Sequence, residues 1–467
     1  MLEPAYQADV VVVGAGAAGL AAARRLTGAG VTTTVLEAAR AVGGRMATEK
    51  VDGFRLDRIG QLLSTAYPEL RRTPGLDGLA LLPFAPGVLL HSEGRHHRAG
   101  AQAGARSARS ALHAVRALAS APRAIPAPRR AITALGAPAR PATPHRPRAG
   151  APLGTAVDQA RLGAALSRHA STPVERLLAR PELPAAQALA ARGLPTRTID
   201  GFLRPLLAAL LCDPDLTTSS RCADLALRAF AGGRLALPAG GAESLAEHLA
   251  RGLPPGTVRT GVRVTSVATN AVTTAEHGVI RCRAVLVATD ARAAAELLPG
   301  LRVPDFHPVT VVHHTTDEPP ATGASLLLDA DRGGPVAHTA VVSHVDPSRA
   351  PAGRALVSST VLGPRPSDVD TAVRMHLSRL YGVPTTRWET LAVHHTPEAV
   401  PAMRPPHDLR RPVRLLAGLY VCGDHRDTST PQGALHSGLR AAAAVLTDLG
   451  AGRPMHSAET VGAERAA

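Results

Sequence analysis

The stretch Asp9-Val10-Val11-Val12-Val13-Gly14-Ala15-Gly16-Ala17-Ala18-Gly19 decides the fold of this chain. Four valines in succession predict a buried parallel strand, and the glycines after them follow the pattern G-x-G-x-x-G. In that pattern Gly14 permits a sharp turn, Gly16 lets a pyrophosphate approach the backbone, and Gly19 lets the next helix pack closely. The residues after Gly19 are good helix formers, and the positive end of their helix favours phosphate. The stretch therefore predicts a Rossmann-type dinucleotide site.

A second strand ends in an acid at the distance that such a site requires. The β-branched run from Val31 to Leu36 leads to Glu37, 18 residues after Gly19. A carboxylate at this point can accept hydrogen bonds from both ribose hydroxyls of an adenosine, and it disfavours a 2′-phosphate. Because strand, helix, strand and acid all occur in order, the glycine pattern is specific here, and NADP is disfavoured as the ligand.

Two further segments indicate which dinucleotide binds. Gly43-Gly44-Arg45 follows the acid closely, and near the carboxyl end Gly418 to Asp424 is followed by Thr430 to Gly438. With these motifs the chain resembles the superfamily of flavin-dependent amine oxidases, phytoene desaturases and protoporphyrinogen oxidases. The resemblance spans nearly the whole chain, and it implies FAD as the cofactor.

The motifs also suggest which residues contact the FAD. Arg45 is expected to make a charge-assisted contact with the pyrophosphate, and Asp424 to bind the ribityl hydroxyls. The helix that starts near Gly433 is expected to direct its N–H groups at the flavin N1 and C2 carbonyl. In the family, the residue matching Val264 touches the adenine through its backbone. The predicted cofactor-binding residues are Gly14, Gly16, Ala18, Gly19, Glu37, Gly44, Arg45, Val264, Gly423, Asp424, Gly433 and Ala434.

The order of predicted elements indicates an α/β protein in which a Rossmann-type FAD-binding domain is interleaved with a mixed α+β substrate domain. Helical periodicity dominates the first part of the substrate domain, and an antiparallel sheet forming a cavity wall is predicted for its second part. The FAD-binding domain is predicted at residues 1–94, 235–300 and 396–455, the substrate domain at 95–234 and 301–395, and a tail at 456–467.

The chain of 467 residues carries a net charge of +15, and much of the excess is local. No acid lies between Glu93 and Asp158, whereas eleven arginines do. Residues 100–150, rich in Arg, Ala and Pro, are predicted to be a mobile segment, either a solvated loop or a contact for anionic lipid or an acidic partner. Nucleic acid is not an expected partner, because aromatic residues make up only 2% of the chain and no recognition fold is visible.

Metal and disulfide chemistry are not predicted. The four cysteines show no C-x-x-C spacing and are expected to be buried, reduced thiols. Neighbouring histidines in a strand point to opposite faces, so the pairs His96-His97, His313-His314 and His394-His395 are poor bidentate ligands. The first strand begins within ten residues of the start, and no apolar run reaches the about 18 residues of a membrane span. A cytoplasmic protein is expected, with peripheral contact at the inner membrane face left open.

The catalytic residues stay unassigned. Hydride transfer needs orientation and an apolar cavity more than a charged group. Many amine oxidases of the superfamily hold a water with a lysine between the cavity sheet and the last motif, but the only lysine here is Lys50. Asp57, in a loop expected to pass under the flavin, is either structural or functional. His394, His395 and His425 either line the cavity or bond to backbone.

The predicted function is hydride abstraction from a small or medium organic substrate, apolar or an amine, to form a C=C or C=N bond. Oxygen or a quinone is the expected electron acceptor. The missing lysine favours desaturation over amine oxidation. A flavin-binding structural or partner-binding protein without turnover is the alternative, and the oligomeric state is not predicted.

Overall fold

The computed structural model describes residues 7–100 and 152–451. The predicted tail at 456–467 and almost all of the segment at 100–150 lie outside the described residues. In the described part, no helix is both long and apolar enough to cross a bilayer. All four cysteines are free and buried, as predicted.

The strands are β1 Ala8–Val13, β2 Thr33–Glu37, β3 Thr48–Val51, β4 Phe54–Asp57, β5 Leu63–Ser64, β6 Leu81–Pro83, β7 Val88–Ser92, β8 Arg95–Ala99, β9 Leu235–Pro238, β10 Val258–Thr260, β11 Val264–Val267, β12 Ala271–Thr274, β13 Gly278–Val287, β14 Phe306–Thr316, β15 Leu327–Asp329, β16 Val336–Val341, β17 Ala355–Leu362, β18 Glu389–Pro401, β19 Arg414–Leu416 and β20 Leu419–Val421. The α-helices are α1 Ala17–Gly28, α2 Glu69–Arg72, α3 Ala156–Ser171, α4 Val174–Leu178, α5 Ala185–Ala190, α6 Thr196–Thr198, α7 Arg204–Leu211, α8 Ser220–Gly232, α9 Glu243–Arg251, α10 Ala291–Leu297, α11 Val342–Val345, α12 Val369–Tyr381 and α13 Pro431–Asp448. One π-helical turn, Ile199–Leu203, joins α6 to α7.

The first sheet is the predicted Rossmann core. Its strands follow the order β10-β2-β1-β13-β12-β11, and β20 pairs with β13 on the same sheet. β10, β2, β1, β13 and β20 run parallel. The valines of β1 are buried because α1, α9 and α13 cover one face, and α10 with residues around β11 and β12 covers the other. Three segments remote in sequence therefore meet in one sheet, which confirms the α/β class predicted from the sequence.

Helices α1 and α13 pack closely beside this sheet. A Cβ added at Gly438 on α13 would lie 2.2 Å from the Ala18 carbonyl oxygen on α1, so only glycine permits this approach. The contact brings the amino-terminal glycine motif and the carboxyl-terminal motif to the same edge of the sheet, and this edge forms the candidate site.

The second sheet has the order β18-β14-β17-β16-β15-β7-β8. One face packs on α12 through residues such as Val312, Val357 and Leu377. Residues of the other face, including Leu328 and Leu356, join a core with the helices from α3 to α8. The predicted antiparallel sheet between residues 301 and 395 is therefore present, although its members extend beyond those bounds.

The domain boundary predicted at residue 94 is wrong, because it divides a β-hairpin. β7 and β8 pair with each other, and β7 also pairs in parallel with β15 through Leu89 and Leu327. Hydrogen bonding thus assigns both strands to the second sheet. The boundary at 395/396 likewise falls inside β18, which pairs with β14 along its length.

A buried arginine in the connection between β16 and β17 links the second sheet to β4 and β9. The Arg349 side chain is 2% exposed, and its guanidinium donates to Asp57 at 2.7 Å and to Asp346 at 3.1 Å. It also donates to the Pro238 carbonyl oxygen, next to β9. Burial by itself would raise the pKa of Asp346, but hydrogen bonds from Ser348, Gly240 and Arg349 hold that pKa below its usual range. The network fixes the second sheet against the ends of β4 and β9.

Buried histidines should make the protein sensitive to acid. Burial lowers the pKa of His313, His338 and His425 to about 4 in the folded chain. The unfolded chain protonates these groups near pH 6.5, so it binds more protons than the folded chain between pH 6.5 and 4. We expect the free energy of unfolding to decrease as the pH falls through this window, by up to about 1.4 kcal/mol per pH unit for each histidine.

The variant His338→Leu checks this expectation, because it removes one such group from the sheet. Denaturant unfolding at several pH values should show a shallower loss of stability below pH 6.5 than in the parent protein. His277→Leu, at an exposed position, is the control and should keep the parental slope. Equal slopes for all three proteins would contradict a lowered pKa of His338 in the folded chain.

Candidate functional site

A cavity of about 610 Å³ lies where the strand ends meet, and we call it the cofactor cavity. Of the twelve predicted cofactor-binding residues, ten line it: Gly14, Gly16, Ala18, Glu37, Gly44, Arg45, Val264, Gly423, Asp424 and Ala434. Segments from the start, the middle and the end of the chain therefore share one cavity. That each of these ten residues contacts the cofactor remains a prediction.

The glycines of the first motif have different surroundings. A Cβ at Gly14 would lie 2.9 Å from the Ala288 carbonyl oxygen, and Gly14 has a φ of +106°, which favours glycine. A Cβ at Gly16 would have no atom within 4 Å, and its φ of −78° and ψ of 179° suit any residue. The space beside Gly16 is thus part of the cavity, as expected where a pyrophosphate approaches the backbone.

Gly19 and Gly433 do not line the cavity. A Cβ at Gly19 would lie 2.1 Å from the Gly14 carbonyl oxygen, and one at Gly433 would lie 2.0 Å from the Thr428 carbonyl oxygen. Both glycines allow close packing of a helix start on the preceding turn. The structure therefore gives Gly433 a packing role at the start of α13, where the sequence predicted a direct flavin contact.

Glu37 ends β2 at the rim of the first motif. Its carboxylate accepts hydrogen bonds from the Ala15 N–H at 2.7 Å and from the Ala39 N–H at 2.9 Å. These bonds fix the carboxylate on the cavity wall, near Val264 on β11. An acid held in this way still has lone pairs for hydroxyl donors, as the predicted ribose contact requires.

Arg45 and Asp424 form an ion pair across the cofactor cavity. The Arg45 guanidinium donates to Asp424 at 2.6 Å and to the Ala399 carbonyl oxygen at 2.9 Å. Burial by itself lowers the pKa of Arg45, but Asp424 outweighs it and raises the pKa. The sequence predicted separate contacts for these residues, with the pyrophosphate and with the ribityl chain. The structure joins them, so they connect the second motif to the last.

The start of α13 faces the same cavity. Thr430 caps the helix by accepting from the Gly433 N–H at 3.2 Å, and Pro431 occupies the first turn, where a proline is tolerated. Thr430, Pro431 and Ala434 line the cavity. The positive end of an 18-residue helix is therefore directed at it, which favours negative charge on a bound group.

Several lining residues were not predicted from the sequence. Thr289 and Asp290 follow β13 and precede α10, at the carboxyl end of a parallel strand where ligands of such sheets bind. Their strand was predicted, so its end could have indicated them. Gln61 also lines the cavity, and its Nε2 donates to the Ser429 carbonyl oxygen at 3.1 Å. Nothing local in the sequence distinguishes Gln61.

The structure shows where several residues lie whose role the sequence did not decide. Asp57 lies in the buried Arg349 network and does not line the cofactor cavity, so its role is structural. Lys50 has a side chain that is 61% exposed and pairs with Glu243 on the surface. His394 packs edge-on against His313, and His425 is buried without lining the cofactor cavity.

A second cavity of about 450 Å³, the side cavity, shares one lining residue with the first. It lies between α2, α4, α8 and the segment 427–432, and Thr430 lines both cavities. Tyr67, Leu178, Leu211 and Leu225 give it an apolar wall. His436 on α13 also lines this cavity, with its Nδ1 bonded to Asp427 at 2.7 Å. A volume of this size is typical of small-molecule sites.

One group among the described residues brings metal-ligand atoms together. His91, Asp329 and Asp331 each have a donor atom within 4.8 Å of the others. Both oxygens of Asp329 already accept backbone N–H groups, from Asp331 and Gly333, as in an ordinary turn. The cluster lies outside the cofactor cavity, and the absence of a metal stays a prediction.

The family described as flavin containing amine oxidoreductase matches residues 17–446, which is most of the chain. The chain belongs to this family. The match confirms the resemblance inferred from the motifs and FAD as the cofactor.

Curated relatives match this chain only over short stretches. Putrescine oxidase from Kocuria rosea is 54% identical over 68 residues, 15% of this chain and 14% of the relative. Lysine-specific histone demethylase 1 homolog 3 from Oryza sativa subsp. indica is 47% identical over 60 residues, 13% of this chain and 7% of the relative. The matched stretch thus spans less than a sixth of these relatives.

Solved structures share the fold over the whole length. Putrescine oxidase bound to putrescine has a TM-score of 0.63 at 18% identity and covers 95% of this chain and 100% of its own. UDP-galactopyranose mutase has a TM-score of 0.64 at 14% identity, covering 94% and 96%. At such identities the likeness shows the fold alone, since one fold hosts many activities.

Proposed function

We propose that this family member is an FAD-dependent oxidase of amines. The carbon next to nitrogen of the neutral amine would lose a hydride to the flavin, and the resulting iminium would release a proton to solvent to give the imine. The observation that carries the proposal is the side cavity, which shares the lining residue Thr430 with the cofactor cavity and combines an apolar wall with a carboxylate on a buried residue, Glu69. An apolar site next to the cofactor can orient a substrate carbon, and a carboxylate can bind an ammonium group.

The chain's own residues would hold the cofactor and exclude water. Glu37 and Val264 line the part of the cavity suited to the adenosine half, and the Arg45–Asp424 pair lines the part suited to the pyrophosphate and ribityl chain. The start of α13 places its free N–H groups where charge would accumulate during reduction. When bound, FAD supplies the acceptor for the hydride, and oxygen or a quinone reoxidises it.

Desaturation of an apolar substrate is a second candidate, favoured by one specific observation. Lys50 is the only lysine in the chain, and it pairs with Glu243 at the surface, so no lysine is available to hold a water beside the flavin. Formation of a C=C bond needs an apolar cavity without such a group. The side cavity satisfies this requirement through its leucines, but an unpaired carboxylate has no use there.

Anaerobic bleaching tests the proposed function. The purified full-length protein, loaded with FAD, is mixed with primary amines of increasing chain length, and its flavin absorbance is recorded. We expect the flavin to bleach with amines and to recover when oxygen or a quinone is admitted. Bleaching with polyenes but with no amine would favour desaturation. A flavin that stays oxidised with both classes would instead support a structural flavoprotein.

A further inference from the structure

The side cavity contains a buried carboxylate that is almost without partners. The Glu69 side chain is 6% exposed and lines the cavity. Among the described residues its carboxylate accepts no hydrogen bond, and its one ion contact is Arg72 Nη1 at 3.9 Å, from a side chain that is 73% exposed. The carboxylate therefore faces the cavity with its acceptor positions free, and its place there points to a cationic ligand as its partner.

The other buried acid of this cavity does not share that property. Asp427 accepts from His436 Nδ1 at 2.7 Å and from Arg440 at 3.3 Å. Its charge is therefore already compensated by the protein. Of the two buried acids that line this cavity, Glu69 is therefore the one whose carboxylate is free to bind a ligand.

The position of Glu69 is close to the cofactor cavity. Its backbone N–H donates to Gln432 Oε1 at 3.0 Å, and Gln432 lies two residues after Thr430, which lines both cavities. An ammonium bound by Glu69 would therefore lie beside the start of α13, which also lines the cofactor cavity.

A positive group lies on another wall of the side cavity. Arg228 on α8 donates its Nε to the Thr172 carbonyl oxygen, just before α4, at 3.0 Å. Arg71 and Arg410 also line the cavity, and none of the three has a carboxylate within 4.0 Å among the described residues. An anionic group on the ligand would be attracted to these guanidinium groups, and a second ammonium group would be repelled.

We propose that the side cavity selects an aliphatic amine with a carboxylate at its far end, with Glu69 binding the ammonium and Arg228 the carboxylate. Glu69 is thus a specificity-determining residue, and diamines are poor ligands. The inference rests on the proposed function, because it names the substrate class of the same site.

Calorimetric titration of the FAD-loaded full chain with three probes tests the inference. The probes are 6-aminohexanoate, hexylamine and 1,6-diaminohexane. We expect 6-aminohexanoate to bind tightest and the diamine weakest. Glu69→Gln should lower the affinity for both 6-aminohexanoate and hexylamine by about 10- to 100-fold, because one charge-assisted contact is lost. Arg228→Gln should lower the affinity for 6-aminohexanoate alone.

Two further variants serve as controls. Glu175→Gln removes an exposed acid that lines the same cavity and should bind all three probes as the parent does. Ala226→Phe narrows the cavity without touching Glu69 and should weaken every probe, which keeps the test informative if Glu69→Gln folds poorly. We expect Glu69→Gln to melt no lower than the parent, because it removes an unpaired buried charge.

The outcomes separate this inference from the proposed function. Unchanged binding of 6-aminohexanoate to Glu69→Gln, or no binding of any probe to the parent, overturns the inference. If the flavin of the parent protein still bleaches with another amine, the proposed function stands and only the inferred substrate class is wrong. Tighter binding of the diamine than of 6-aminohexanoate overturns the role of the arginines.

Discussion

Gly16→Ala should lower the affinity for FAD by roughly 30-fold, or about 2 kcal/mol, while leaving the melting temperature of the apoprotein unchanged. The added Cβ would meet no protein atom within 4 Å, and the backbone at Gly16 is extended, so the fold has no reason to respond. The methyl group would instead occupy space on the wall of the cofactor cavity, where a pyrophosphate is expected to approach. Fluorescence titration with FAD and thermal melting measure the two effects separately.

Gly28→Ala is the matched control. This glycine also has no atom within 4 Å of an added Cβ, but it ends α1 and does not line the cofactor cavity. The variant should bind FAD like the parent and melt at the same temperature or slightly higher, because alanine is the better helix former. Equal FAD affinity for Gly16→Ala and Gly28→Ala would show that the cavity beside Gly16 is not the cofactor site.

Arg349→Ala should destabilise the protein by about 3–5 kcal/mol. The substitution leaves the buried carboxylates of Asp57 and Asp346 without their counterion, and it removes the donor to the Pro238 carbonyl oxygen. Since these groups come from different segments of the chain, the loss should loosen the substrate sheet against the cofactor domain. Denaturant unfolding, followed by circular dichroism, measures the change.

Arg387→Ala is the comparison for this variant. Arg387 pairs with Glu318 at 3.2 Å, but both side chains are more than three-quarters exposed at 76% and 82%. Exposed pairs contribute little, so the change should stay below about 1 kcal/mol. Adding Asp57→Asn to Arg349→Ala should restore part of the lost stability, because it removes one uncompensated charge. If Arg349→Ala is as stable as Arg387→Ala, the network does not hold β4 and β9 against the second sheet.

The sequence predicted the cofactor domain well because its constraints are local. The turn at Gly14, the helix after it and the acid at Glu37 are each fixed by neighbouring residues, and the spacing between them follows from strand and helix lengths. The same holds for the strand before Asp424, which is β20, and for the helix predicted to start near Gly433, which is α13. These features could be read without knowing where distant segments lie.

Features that depend on distant segments were missed. The assignment of β7 and β8 depends on pairing with β15, more than 200 residues later, and no local pattern specifies that partner. The Arg45–Asp424 pair joins residues 379 positions apart. Glu69 belongs to no motif in the sequence, and only the folded chain shows that it is buried with its carboxylate beside a cavity.

Titration of the flavin-free full-length protein with FAD addresses the convergence of the three segments on one cofactor. We expect saturation at one FAD per chain, a flavin absorbance spectrum shifted from that of free FAD, and a higher melting temperature, because a ligand that binds only the folded state stabilises it. A folded protein with a cooperative melting transition that takes up no FAD at any concentration tested would contradict the assignment of the cofactor cavity.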